Sequence, residues 1–112
     1  MMPRVICLAV DDLALDPAGL AATLNTACNS RRTKHTVRGV CQVEDRLYFV
    51  LTPRAARASR ETYVLAPVPE TEDASFTAEL ASRWAAGFTV LATLQVGGEV
   101  HALYARTEAS GR

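Results

Sequence analysis

The sequence predicts an α+β domain built from two tandem strand–helix–strand–strand repeats. Two stretches with alternating apolar and polar residues, 36–54 and 88–106, each carry a turn signal near the middle and are typical of β-hairpins. They align at an offset of 53 residues, which places Gln42-Val43 against Gln95-Val96. Each hairpin follows an apolar strand pattern and a helical pattern, so the whole unit is predicted to occur twice.

Two such units side by side predict a ferredoxin-like, pseudo-dimeric arrangement. Six strands would form one mainly antiparallel sheet, with both helices on one face, because one helix cannot cover a sheet alone. We expect a single domain over residues 1–112, with repeats 4–54 and 62–107 joined by a basic linker, 54–61. A chain of 112 residues is long enough to bury one core without disulfides or metals.

In the first unit, residues 4–10 are predicted to form a strand, because every position after Arg4 is apolar, as in a central strand. Asp16-Pro17 predicts a helix start, because an aspartate cap precedes proline at the first helical position. Apolar residues spaced by four then predict the buried side of that helix: Leu20, Leu24 and Cys28. The hairpin turns at residues 44–46, and Pro53 ends it because proline has no N–H for the strand ladder.

The second unit repeats this order. A strand over residues 63–68 closes at two prolines, and a helix begins at Asp73 or Ser75. Gly87 is placed to end that helix in the left-handed conformation. The hairpin turns at Gly97-Gly98, and the predicted apolar side of the helix consists of Phe76, Leu80 and Trp84.

Regular alternation along the strands gives the sheet a second face that is too apolar for water. Such a face usually marks an interface. The residues on it that we expect to bind a ligand or a partner are Gln42, Tyr48, Thr93, Gln95 and His101.

The charges are unevenly distributed although the net charge is zero. Residues 31–60 hold eight of the 12 basic residues and two acidic ones, a local net charge of +6. Arginine suits phosphate and carboxylate, so an anion or nucleic-acid site is one interpretation. The other is that these residues are solvated or contact the acidic segment 69–73. The anion-binding candidates are Arg31, Arg32, Lys34, Arg38, Arg57 and Arg60.

Signals for catalysis and metal binding are weak. The odd set of cysteines, Cys7, Cys28 and Cys41, lacks C-x-x-C spacing and predicts buried thiols. Asp11-Asp12 resembles the acidic pair of receiver domains, but the downstream aspartate and lysine are missing. The two histidines occupy non-equivalent repeat positions, which disfavours a shared metal site. We therefore expect no catalytic residue, metal or cofactor.

Short motifs resemble a small bacterial family of unknown function. In the second half they are Leu80, Gly87-Phe88 and Tyr104-Ala105-Arg106. In the first half they are Leu20, Leu24-Asn25 and the Phe-Val-Leu that ends the hairpin at residues 49–51. The resemblance implies a strand–helix–strand–strand fold and oligomerisation, and it implies no reaction.

The functional prediction that follows is a non-catalytic oligomerising or protein-interaction module that uses the second sheet face. We expect a cytoplasmic homo-oligomer, since no signal peptide or membrane-spanning segment is evident. Anion or nucleic-acid binding through residues 31–60 is the alternative. A small-molecule site or enzyme with its pocket at the sheet face is the third.

Overall fold

The structure is a computed structural model that describes residues 3–16, 18–30, 33–55, 57–69, 73–96 and 98–107. The first half contains strand β1, helices α1 and α2, and strands β2 and β3, with these bounds: Arg4–Ala9, Val10–Leu15, Ala18–Cys28, Lys34–Val43 and Arg46–Arg54. The second half contains strand β4, helix α3 and strands β5 and β6: Glu61–Pro67, Asp73–Ala85, Thr89–Val96 and Glu99–Thr107. Within the described ranges, none of the helices has the length and apolar content that a membrane crossing needs.

The α+β class is confirmed, but the strands form two sheets where the sequence predicts one. Sheet A has the order β1-β3-β2 and sheet B the order β4-β6-β5, and all pairs are antiparallel. The edge strands β2 and β5 meet through a side chain. The Gln42 amide nitrogen donates to the Gln95 carbonyl at 3.1 Å, and its oxygen accepts the Gln95 N–H at 3.2 Å. This side-chain contact takes the place of backbone hydrogen bonds between β2 and β5.

Each hairpin contains an irregularity at the same place. The register shifts between Val37 and Gly39 in β2 and between Val90 and Ala92 in β5, positions that are again 53 residues apart. A β-bulge puts two residues opposite one, so the inside–outside alternation reverses beyond it. Regular alternation placed Val37 and Cys41 on one face. In the structure Val37 is buried and Cys41 is exposed, so that part of the face prediction was wrong.

One core joins both halves of the chain. It contains the inner side of sheet A, the facing side of sheet B and the apolar side of α2. Residues directly opposite each other in an antiparallel pair share a face. Ile6, opposite Phe49, therefore packs on this core, and its neighbour Cys7 does not, contrary to prediction. The completely buried members are Leu20, Leu24, Cys28, Leu47, Phe49, Leu51 and Leu103.

Helix α3 covers the other face of sheet B. Phe76 and Leu80 pack there against a smaller cluster that includes Ala102 and Tyr104. The two long helices therefore lie on different sides of sheet B instead of on one face of a single sheet. Trp84, predicted on the apolar side of α3, is 70% exposed.

The free edge of β4 is paired by the side chain of Asn25 in α2 and by that of Asn29, directly after α2. The Asn25 amide donates to the Tyr63 carbonyl at 3.2 Å and accepts the Tyr63 N–H at 2.7 Å. Asn29 makes the same pair of bonds with Glu61, at 2.7 and 2.9 Å. Because an unpaired strand edge is a template for aggregation, these amides satisfy the edge and also fix α2 against sheet B.

The end of α3 follows the sequence prediction. Gly87 has φ of +92°, the left-handed conformation that glycine adopts without strain. Its N–H donates to the Trp84 carbonyl at 2.9 Å, and the Phe88 N–H donates to the Arg83 carbonyl at 2.8 Å. This pair of bonds is the Schellman arrangement. The cap turns the chain directly into β5.

Candidate interaction surface

Sheet A has one face that points away from the core, which we call the open face. It is centred on β3, where Tyr48 lies opposite Cys7 on one side and Cys41 on the other. Val50 and Arg46 extend it along the strand. The open face consists of Val5, Cys7, Ala9, Gly39, Cys41, Val43, Arg46, Tyr48 and Val50.

This surface is apolar and accessible. Val5 is 58% exposed and Val43 is 54% exposed, and both flanking thiols are exposed as well. Members of the open face do not belong to either core cluster of the described residues. By contrast, one side of sheet B packs on the shared core and the other on α3. Among the described residues, sheet A is thus covered on one side only.

The centre of the open face carries an electrostatic contact that the sequence does not reveal. Arg46 and Cys7 lie on the same face of the paired strands β3 and β1, and interaction with the Cys7 side chain is the main cause that raises the pKa of Arg46. Interaction with Cys7 is also the main cause that raises the pKa of the Tyr48 phenol. Cys7 therefore has a cationic neighbour. Only the pairing of β1 with β3 brings it there, and no local pattern predicts that pairing.

The two exposed thiols stay separate within one chain. Cys7 and Cys41 lie on β1 and β2, with Tyr48 of β3 between them. Two strand spacings amount to about 10 Å, beyond the roughly 7 Å between Cα atoms that a disulfide can bridge. The pair is available for contacts with another molecule. The prediction of three buried thiols holds only for Cys28.

The five predicted ligand residues do not meet at one place. Tyr48 lies on the open face. Gln42 and Gln95 bind each other at the junction of the sheets, and Thr93 lies opposite Ala102 on the α3 side of sheet B. His101, opposite Pro67, is only 4% exposed and lies on the side of sheet B that packs on the shared core. The hairpin registers explain this, because opposite residues share a face. Gln42 lies opposite Leu47 and not Tyr48, and Gln95 lies opposite Val100 and not His101.

The predicted anion-binding residues divide into three groups. Arg31 and Arg32 lie outside the described residues, as do residues 70–72 of the acidic segment. Lys34 is half-buried at the start of β2. The exposed candidates are Arg38, Arg57 and Arg60. The ion pair Glu79–Arg83 is the one found in the described part of the chain, so it includes none of these cations.

Arg54, another basic residue of this region, has a structural role. Its guanidinium donates to three backbone carbonyls, those of His35 at 2.8 Å, Ser59 at 2.6 Å and Cys28 at 3.1 Å. These bonds join the end of α2, the start of β2 and the connection after β3. With its donors used in this way, Arg54 adds nothing to an anion site.

A pocket of about 310 Å³ with both polar and apolar lining residues lies elsewhere, next to Glu61. The Glu61 carboxylate accepts hydrogen bonds from Tyr63, from Thr36 at 3.2 Å and from Thr107 at 3.5 Å. The Tyr63 hydroxyl also accepts the Val37 N–H at 3.1 Å. Burial is the main cause that raises the pKa of Tyr63, so this phenol stays protonated. The network links β2, β4 and β6 and is a structural clamp between the sheets.

Other candidate chemistry finds no support in the described residues. No group of three His, Cys, Asp or Glu side chains is arranged there to hold a metal. Asp11 and Asp12, predicted in a loop, are exposed in the first turn of α1.

In comparisons with protein-family models, curated proteins and solved structures, none matched this chain.

Proposed function

We propose that this protein is a non-catalytic self-association module whose contact surface is the open face. The observation that carries the proposal is the uncovered side of sheet A, with Val5 and Val43 more than half exposed beside two exposed thiols. A contiguous apolar patch on an otherwise well-packed chain usually marks an interface. Arg46 is the one charged member of the open face.

The tandem strand–helix–strand–strand repeat belongs to this proposal. Three features support it: the same strand order in both sheets, hairpins spaced by 53 residues, and bulges at matching positions. If the halves are equivalent, the open face corresponds to the side of sheet B that packs on the shared core. A surface whose counterpart is buried inside the chain is expected to be buried by another chain.

Val43→Asp tests the proposal. A carboxylate buried in an apolar contact is costly to desolvate, so the variant should associate at least tenfold more weakly than the parent chain. Val100→Asp is the matched control, because Val100 is 39% exposed but lies on sheet B. Size-exclusion chromatography with light scattering gives the mass of each variant across a range of concentrations.

The expected result is loss of the oligomer in Val43→Asp and its retention in Val100→Asp. Circular dichroism should show that both variants are folded. If the parent chain stays monomeric at the highest concentration, or if both variants associate equally well, self-association through the open face is rejected.

Anion binding is the second candidate function, favoured by the exposed side chains of Arg38, Arg57 and Arg60. A labelled single-stranded oligonucleotide titrated at low salt would test it. Binding that weakens as salt rises, and that is lost in a triple glutamine variant, supports this function. Unchanged fluorescence anisotropy at low salt would contradict it.

A further inference from the structure

We infer that the open face binds the exposed C-terminal half of helix α3 from a second copy, so that copies associate head to tail. This inference rests on the proposed function and names the partner surface. The C-terminal half of α3 carries Trp84, which is 70% exposed and is the only tryptophan in the chain. Ala81, one turn before Trp84, and the neighbouring Ala85 are exposed as well.

Two of the charged side chains of α3 bind each other. Arg83 pairs with Glu79 at 3.4 Å, and its guanidinium lies 4.9 Å from the centre of the Tyr104 ring. Both side chains are about 70% buried. The C-terminal half of α3 therefore offers an aromatic ring beside small residues, and its Arg83 charge is already paired. Small residues let a helix approach a sheet closely, and the indole supplies most of the apolar area.

The chain already contains a contact of the kind that we infer. Helix α2 contacts β2 of sheet A and β4 of sheet B, and its line of Leu20, Leu24 and Cys28 is 0% exposed. The corresponding line in α3 has the same spacing of four. It packs on sheet B through Phe76 and Leu80, but Trp84 remains in solvent. Helix α2 thus packs on two sheets, whereas α3 packs on one.

The open face, in contrast, is a sheet surface that no described helix or strand covers. The two surfaces lie on opposite sides of the molecule. The open face is the side of sheet A that points away from the shared core, and α3 lies on the side of sheet B that points away from the same core. One chain cannot bring its own two surfaces together. Two different surfaces in contact form a heterologous interface, which yields a ring or an open filament.

The charge on the open face favours this partner over a second open face. Arg46 is the one charged member of that face, with the Asp45 charge beside it at the turn, and two open faces would bring two guanidinium groups to one apolar contact. Helix α3 instead brings an indole ring. A guanidinium is attracted to the face of an aromatic ring, and the effect grows when water is excluded.

A complementation experiment tests the inference with two variants, Val43→Asp on the open face and Trp84→Asp on α3. Each variant keeps one intact surface. By light scattering, each should be monomeric alone at a concentration where the parent chain forms multimers. An equimolar mixture should form a heterodimer, because the intact α3 of the first variant can bind the intact open face of the second. The mixture also shows that both variants are folded.

The outcomes separate this inference from the function on which it rests. If Trp84→Asp associates like the parent chain while Val43→Asp does not, the open face is an interface but α3 is not its partner. That result overturns the inference alone. Two monomeric variants that fail to combine also overturn it, provided circular dichroism shows both folded. If Val43→Asp associates normally, the proposed function fails and this inference fails with it.

Discussion

At the scale of single residues, the Tyr63 hydroxyl is the most consequential polar group in the core. Tyr63 is 2% exposed, and its hydroxyl donates to Glu61 while it accepts the Val37 N–H at 3.1 Å. It thereby connects β4 to β2 at the bulge. A buried group that loses its partner costs about 1–3 kcal/mol.

We predict that Tyr63→Phe lowers the free energy of unfolding by about 1–3 kcal/mol, because the Val37 amide loses its acceptor. Urea denaturation followed by circular dichroism measures the change. Tyr104→Phe is the control, since Tyr104 is 1% exposed and its hydroxyl has no hydrogen-bond partner among the described residues. Equal losses in the two variants would contradict the assignment of Tyr63 as a clamp between the sheets.

Cys28 is expected to make stability depend on alkaline pH. It is 0% exposed, and burial is the main cause that raises the pKa of its thiol. Above the ordinary thiol pKa of about 8.5, the unfolded chain loses this proton while the folded chain keeps it. The free energy of unfolding should therefore fall as pH rises, with a slope of at most about 1.4 kcal/mol per pH unit for this group.

Urea titrations at pH 7 and pH 9.5 measure this effect. Cys28→Ala should be less stable at both values because of the cavity, but its loss between them should be smaller than that of the parent chain. The same pH-dependent loss in both proteins would show that Cys28 is not the group responsible.

At the scale of elements, the side-chain amides of α2 replace a missing strand. Asn25 satisfies both backbone groups of Tyr63 on the free edge of β4. We predict that Asn25→Ala destabilises the fold by about 1–3 kcal/mol, since a part-buried donor and acceptor lose their partners together.

Gln42→Ala is the matched control for Asn25→Ala. Gln42 makes the same two-bond contact with Gln95, but at an exposed site where water can replace it. Its free energy of unfolding should change by less than about 1 kcal/mol. A larger loss in Gln42→Ala than in Asn25→Ala would contradict the role given to the β4 edge.

The elements could be predicted from the sequence far better than their faces. The helix cap at Gly87, the hairpins and the helix side built on Leu20 and Leu24 follow from local patterns, and the structure has them. The bulges in β2 and β5 carry no local signal, because Arg38 and Leu91 fit regular alternation equally well. One unpaired residue in each strand reverses the faces beyond it.

The number of sheets also could not be predicted from the sequence. Six antiparallel strands can form one sheet or two, and the choice depends on contacts that are distant along the chain. The Gln42 contact with Gln95 and the asparagine contacts with β4 show side chains binding edge backbone at places where further strands could have paired. For this reason, the candidate surface could be predicted as an apolar sheet face, while its members could not.

At the scale of the whole molecule, the described residues cover one side of the structure and leave the other side open. Sheet B is enclosed between the shared core and α3, whereas sheet A packs on the shared core with one side and presents the open face on its other side. The central claim is that another copy covers this face. Cys7 and Cys41 are exposed there and report on access to it directly.

The most direct measurement is the rate at which iodoacetamide alkylates Cys7 and Cys41, followed by peptide mass spectrometry across a range of protein concentrations. The account predicts that both rates fall as the protein associates, and that they stay high at every concentration in Val43→Asp. If the parent chain forms oligomers while both thiols react as fast as in the dilute protein, the contact lies elsewhere and the central claim is contradicted.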